Sequence, residues 1–270
     1  MTEPVLEVAD LRKTYGDLLA VDGVSFSVWP GGSLAIVGES GSGKTTVAKM
    51  IVGLERPTAG TIRACGRDRS SPARSTGERR RRGREVQIVF QDPYTSLDPR
   101  QTVERALDEV LRLHHGWDRE QRRRRVLELG ELVGLDARQI RALPRSLSGG
   151  QRQRVAIARA LAAEPKVLIL DESVASLDVS IQAQVLNLLA DIRDETDISY
   201  VVISHDLAVV RQLTEETVVM WHGRIVERGP TPRVLDRPGH DYTKRLRASV
   251  PRPGWKPKRR NTAVSGARGE

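Results

Sequence analysis

Two stretches of the sequence carry side chains suited to phosphate chemistry. Gly38-Glu39-Ser40-Gly41-Ser42-Gly43-Lys44-Thr45 fits the pattern G-x-x-x-x-G-K-[ST]. Its glycines permit main-chain conformations that turn successive N–H groups towards an anion, and a helix that follows adds its positive end. Lys44 would reach the terminal phosphates of a nucleotide, and the Thr45 hydroxyl would ligate Mg²⁺. Val167 to Leu170 is an apolar run that ends in Asp171 and Glu172. Neighbouring residues on a strand point to opposite faces, so two acids converge on one site only where the strand ends. Asp171 would then hold Mg²⁺, directly or through water, and Glu172 would act as general base towards an attacking water. Taken alone, such a pair is more often a helix cap or a solvated loop; the upstream loop reverses that reading.

These residues need a scaffold of alternating strands and helices. Apolar runs at Val5 to Val8, Ser33 to Val37, Val86 to Phe90, Val167 to Leu170, Tyr200 to Ile203 and Val218 to Trp221 predict strands of a mixed sheet, several buried on both faces. Thr45 to Leu54 predicts a helix with Val47, Ile51 and Leu54 on one stripe, and Ile181, Val185, Leu188, Leu189 and Ile192 predict another. Thr102 to Leu143 reads as helical, with Val126, Leu129, Leu132 and Val133 forming an apolar face, and interrupts the strand rhythm as an inserted subdomain would. The stretch from Ser70 to Gly83 is Arg, Ser, Gly and Pro without periodicity and predicts a surface loop. From Pro251 onward Pro, Gly and charge dominate, which predicts a basic tail without fixed structure over residues 251–270.

Composition narrows the function classes. The 270 residues are 39% hydrophobic and 29% charged, a globular balance. A single cysteine excludes a disulfide framework, a Cys-based zinc site and a cysteine-ligated iron–sulfur cluster. No apolar run approaches the roughly 20 residues of a bilayer-spanning helix, and the N-terminus lacks the pattern of a secretory signal. Any membrane role would therefore run through partners. The net charge of +9 raises nucleic acid or anionic lipid as a partner. Much of it clusters in Arg79 to Arg82, Arg122 to Arg125 and Lys256 to Arg260, with no aromatic residues interleaved to stack on bases, so a solvated surface is the preferred reading.

Between the two phosphate motifs stands Leu147-Ser148-Gly149-Gly150-Gln151. With the motifs in this order, the chain resembles the ABC-type ATPases over about Leu6 to Pro251. Gln91-Asp92-Pro93-Tyr94-Thr95-Ser96-Leu97-Asp98-Pro99-Arg100 and the late Gly239-His240-Asp241-Tyr242-Thr243, followed by Ser249-Val250-Pro251, are similar to the dipeptide, oligopeptide and nickel import branch. The chain departs from that branch in three places. Ala175 and Ser176 read as an exchange of the usual order before Asp178, Asp241 stands where a proline is expected, and a C-terminal cysteine cluster found in some members is absent.

The resemblance implies an α/β fold: a RecA-like P-loop NTPase core with a mixed sheet, an antiparallel β subdomain, and a helical subdomain inserted at about residues 92–160 of a 1–250 domain. It implies ATP and Mg²⁺ as ligands and sites sandwiched between two subunits. Gly38, Glu39, Ser40, Gly41, Ser42, Gly43, Lys44, Thr45 and Thr46 of one subunit would face Ser148, Gly149, Gly150 and Gln151 of the other. Tyr15 resembles the residue that stacks on adenine, Gln91 the glutamine that senses Mg²⁺, His205 the histidine that contacts the γ-phosphate, and Asp178 the aspartate that crosses the interface. Lys44, Gln91, Glu172 and His205 would be catalytic, with Thr45, Gln91 and Asp171 at the metal. The implied partners are two permease subunits, a sister ATPase or a second copy of the chain, and, indirectly, an extracytoplasmic solute-binding protein, at the cytoplasmic face of the membrane. Nucleic acid is not expected, although a soluble relative acting on nucleic acid or ribosomes remains the alternative. A small-molecule kinase is disfavoured, since it gives Ser148 to Gln151 no task.

Overall fold

The computed structural model describes residues 3–92, 97–173 and 179–248. β1 (Leu6–Tyr15), β2 (Leu18–Val28), β4 (Ala59–Ala64) and β5 (Arg67–Asp68) form an antiparallel sheet in the order β2-β1-β4-β5. β3 (Ser33–Val37), β6 (Val86–Val89), β7 (Val167–Asp171), β8 (Ser199–Ile203), β9 (Glu216–Trp221) and β10 (Arg224–Pro230) form a second sheet, ordered β10-β9-β3-β8-β7-β6. It is parallel from β9 to β6, and β10 closes one edge antiparallel. Every residue of β3, β7 and β8 is buried, as strands covered on both faces require.

The two-residue period of these strands divides the core. Leu34, Ile36, Val167, Ile169, Val201 and Ile203 pack with the antiparallel sheet and with α1 (Lys44–Val52). Leu168, Leu170, Tyr200 and Val202 face the opposite way, into the helical layer. The two sheets are also joined by charge. Buried Asp22 accepts hydrogen bonds from Arg12 Nη1 at 2.5 Å and Arg224 Nε at 2.6 Å, and its backbone N–H donates to Gly223 O.

The helical layer includes α2 (Thr76–Glu85), α3 (Val103–His114), α4 (Arg119–Leu132), α5 (Ala137–Arg141), α6 (Gly149–Leu161) and α7 (Val179–Glu195). Val126, Leu129 and Val133 are buried with Leu107, Leu111 and Val155, and Leu132 packs at the margin, so the expected apolar face exists. The chain then forms α8 (Leu207–Leu213), α9 (Thr231–Asp236) and α10 (Asp241–Ala248), which pack on Ala35, Val37 and Val219. No helix among the described residues is long and apolar enough to cross a membrane.

Two expectations are corrected. α2 lies where a surface loop was expected. It buries no residue, so hydrophobic periodicity cannot reveal it. Instead Ser75 caps it by accepting from Glu78 N–H, Glu78 pairs with Arg82 one turn on, and Arg82 donates to Ser71 O. Leu54 does not join the stripe of α1 but is 65% exposed. The helix stops at Gly53, whose φ of 82° is left-handed and which closes the last turn onto Lys49 and Met50 carbonyls.

Candidate functional site

The loop after β3 and the ends of β8, β7 and β6 are neighbours in the sheet, so the loops leaving their carboxyl ends share one edge. That edge is where open α/β sheets place ligands. Lys44 and Thr45 follow β3, His205 follows β8, Asp171 and Glu172 end β7, and Gln91 lies two residues beyond β6. Val89 pairs with Leu170 and Asp171 with Ile203, which brings these four departures level with one another.

The loop from Gly38 to Gly43 is wrapped around Lys44. The lysine is 5% exposed, and its Nζ donates to Gly38 O and Glu39 O, both at 2.8 Å. Burial pushes its ammonium pKa down, while Glu172, Asp171 and Glu39 pull it back up. Gly43 caps α1 with a φ of 102°, and a Cβ there would come within 2.5 Å of Ala20 O, so only glycine fits. No side chain caps α1 and no acid occupies its first turn. Its opening N–H groups are thus left to an external anion, as a phosphate site requires. Ser40, Gly41 and Thr45 are exposed beside this opening and Thr46 is half-buried.

Thr45 Oγ1 donates to Asp171 Oδ1 at 3.3 Å. A hydroxyl beside a carboxylate is a donor set that suits Mg²⁺, which takes oxygen ligands and few protein groups. Burial pushes the Asp171 carboxyl up, the Thr45 hydrogen bond opposes this, and the neighbouring Glu172 charge adds to it. Glu172 turns away from the strand with a φ of 48°, in the left-handed region that non-glycine residues rarely adopt, while its N–H donates to Ile203 O at 2.8 Å. Such a backbone typically costs about 1–3 kcal/mol and persists where the surroundings fix it. The turn brings Glu172 Oε1 within 3.4 Å of His205 Nδ1. Asp206 caps α8 by accepting from Ala208 N–H, and Gln182 of α7 holds its other oxygen at 3.0 Å.

The structure does not bring Ser148 to Gln151 to this edge. Among the described residues no hydrogen bond or ion pair links them to residues 38–46. Ser148 caps α6 in a capping box: its Oγ accepts from Gln151 N–H at 3.3 Å, and its own N–H donates to Gln151 Oε1 at 2.9 Å. Ser148 and Gly149 are exposed. Gly150 is buried against α7, where a Cβ would meet Ile181 Cγ2 at 2.3 Å. Tyr15 is 43% exposed at the end of β1, with Lys13 Nζ 4.7 Å from its ring centre. Gln91 is exposed beyond β6, next to a groove of about 550 Å³ lined by Phe90, Val110, Leu113, His114, Ala156 and Arg159 among others. Asp178 and the Ala175–Ser176 pair lie outside the described residues.

One contact has no counterpart in the sequence motifs, where Tyr242 stands only within the run Gly239 to Thr243. Its hydroxyl accepts the Glu39 N–H at 2.8 Å, across 203 residues of sequence. In sequence Tyr242 stands between Asp241 and Thr243, so nothing local signals that its ring is buried and its hydroxyl needs a partner.

Similarity to known proteins matches this geometry. Residues 21–175 match the ABC transporter family. The dipeptide transport ATP-binding protein DppF of Escherichia coli is 41% identical over 276 aligned positions, covering 98% of this chain and 82% of that protein. The di/tripeptide transport ATP-binding protein DppF of Pseudomonas aeruginosa is 43% identical over 89% of this chain and 74% of its own length. Among solved structures, the dimeric post-hydrolysis state of the ATP-binding cassette MJ0796 bound to ADP and Pi has a TM-score of 0.76 at 29% identity, over 84% of this chain and 98% of that one.

Proposed function

The chain belongs to the ABC transporter family, and from that premise we propose that it hydrolyses ATP to drive import of peptides through separate membrane-spanning permease subunits. The observation that carries the reading is the convergence of Lys44, Thr45, Asp171, Glu172 and His205 on one sheet edge, facing the uncapped start of α1. Two relatives named for dipeptide and di/tripeptide transport support peptides, rather than nickel, as the solute, and favour transport over work on nucleic acid.

In this mechanism the loop Gly38 to Gly43 and the first turn of α1 bind the phosphates through main-chain N–H groups, and Lys44 neutralises their terminal charge. Thr45 and Asp171, with Gln91 beyond β6, would hold Mg²⁺, which would supply charge neutralisation of the phosphates. Glu172 takes the proton of the attacking water as general base. His205, 3.4 Å from Glu172, orients that carboxylate and keeps its other ring nitrogen for the γ-phosphate. Tyr15 stacks on adenine, worth about 1–3 kcal/mol for a base on an aromatic ring. Ser148 to Gln151 complete the site of a second subunit, either another copy or a sister chain. The groove beside Gln91 seats a permease helix, so that closure of the two subunits changes access through the membrane. The chain thus sits on the inner face of the membrane without entering it.

The test is ATPase activity in proteoliposomes holding the co-expressed permease, with wild-type chain and with Lys44→Ala. Turnover that depends on the permease, rises with the solute-binding protein and disappears in Lys44→Ala is the expected result. Activity indifferent to the permease but raised by RNA or DNA would overturn it in favour of the nucleic-acid alternative.

A further inference from the structure

The loop that binds phosphate is held not only by its own strand and helix but by the last helix of the described chain. α10 starts where Glu227 of β10 accepts the N–H groups of Gly239 and His240, at 2.7 and 3.1 Å, and His240 Nδ1 accepts from Tyr242 N–H at 3.1 Å. These bonds fix the first turn of α10 over the end of the sheet. Tyr242 is then 2% exposed, and its ring stacks on Trp221 at 5.3 Å and 18°. Arg245 lies over the other ring of that stack, 5.9 Å from the centre of Trp221. Burial pushes the Tyr242 phenol pKa up, so the hydroxyl stays neutral near physiological pH. The Glu39 N–H points at this hydroxyl, while the Glu39 carbonyl accepts from Lys44 Nζ. Glu39 thus links α10 on one side to the phosphate-seeking lysine on the other.

We infer that Tyr242 is a positioning residue for nucleotide binding: its hydroxyl sets the orientation of the backbone at Glu39, and through it the seat of Lys44 and the curl of the phosphate loop. The inference rests on the nucleotide-binding part of the proposed function and is independent of the permease and the solute. The Glu39 N–H meets the buried Tyr242 hydroxyl in a part-buried hydrogen bond, and no other acceptor among the described residues takes it. Without the hydroxyl, the backbone is free to rotate towards another acceptor, and Lys44 loses the fixed carbonyl at 2.8 Å. Because the loop holds the phosphates alike before and during hydrolysis, the change appears in binding rather than in the chemical step.

Tyr242→Phe keeps the ring and its stack and removes only the acceptor. Two measurements on the full chain decide the matter. In the nucleotide-free chain, amide hydrogen exchange at Glu39 should quicken severalfold in Tyr242→Phe while the β3 amides keep their protection. The Kd for ATP, read by equilibrium binding, should rise about threefold to tenfold, the usual worth of one intramolecular hydrogen bond. In the permease complex, KM for ATP should rise by the same factor with kcat within about twofold of wild type. A merely structural tyrosine would lower Tm and leave Kd and the KM-to-kcat split unmoved. Unchanged exchange at Glu39, or an unchanged Kd, overturns the inference.

Discussion

Two helices of this protein begin at glycine-rich turns next to polar residues, and they are built in opposite ways. α1 opens at Gly43 with no side-chain cap, no acid in its first turn and a buried lysine folded into the loop before it. α6 opens at Ser148 with a complete capping box on an exposed turn, while Gly150 behind it is pressed against Ile181. The first N-terminus is left open to an anion within its own chain. The second is satisfied when alone and has donors to share only when something else arrives. This difference is what an active site divided between two subunits requires: one half pre-organised, the other stable in solution until closure.

Mutations at the two ends should separate accordingly. Glu172→Gln removes the base but none of the phosphate donors, so turnover should fall by about 10²–10⁴-fold while ATP binding is kept, as read by steady-state rates beside equilibrium binding. Lys44→Ala should cost about 10²–10³-fold in turnover and, unlike Glu172→Gln, weaken ATP binding as well. Asp171→Asn divides stability from function. Burial holds the Asp171 carboxyl above its ordinary 3.8, so the proton it binds favours the folded chain. That contribution is complete below 3.8 and is lost as pH rises through the raised value. The Asn variant should therefore gain Tm relative to wild type as pH climbs from acid to neutral, in nucleotide-free scans, and lose Mg²⁺-supported turnover. Smallest is Ser148→Ala in the isolated chain. The cap is worth about 1 kcal/mol, so Tm should drop by a few degrees with ATP binding untouched.

The sequence made the two halves legible to different degrees. β3, the phosphate loop and α1 read clearly because an apolar run, a glycine pattern and a helical stripe stand in order over a short stretch, and β7 with Asp171 and Glu172 read for the same reason. The strands β2, β4, β5 and β10 escaped the hydrophobic scan. They are half-exposed or on edges, and charged or glycine positions such as Asp22, Gly23, Arg63, Glu227 and Gly229 interrupt their apolar runs. α2 was invisible because caps and ion pairs, rather than burial, hold it. The antiparallel sheet entered only through resemblance to a family. Tyr242 shows a different limit: its partner is 203 residues away, and no local pattern encodes a contact made by topology alone.

The division of the site between two chains is tested most directly by placing a large cation where α6 begins. Ser148→Arg should bind ATP as tightly as wild type when the chain is diluted to a monomer, because α1 and its loop are intact, yet abolish turnover in the assembled permease complex. Weakened ATP binding by the diluted monomer, or normal turnover by the assembled complex, would contradict the account.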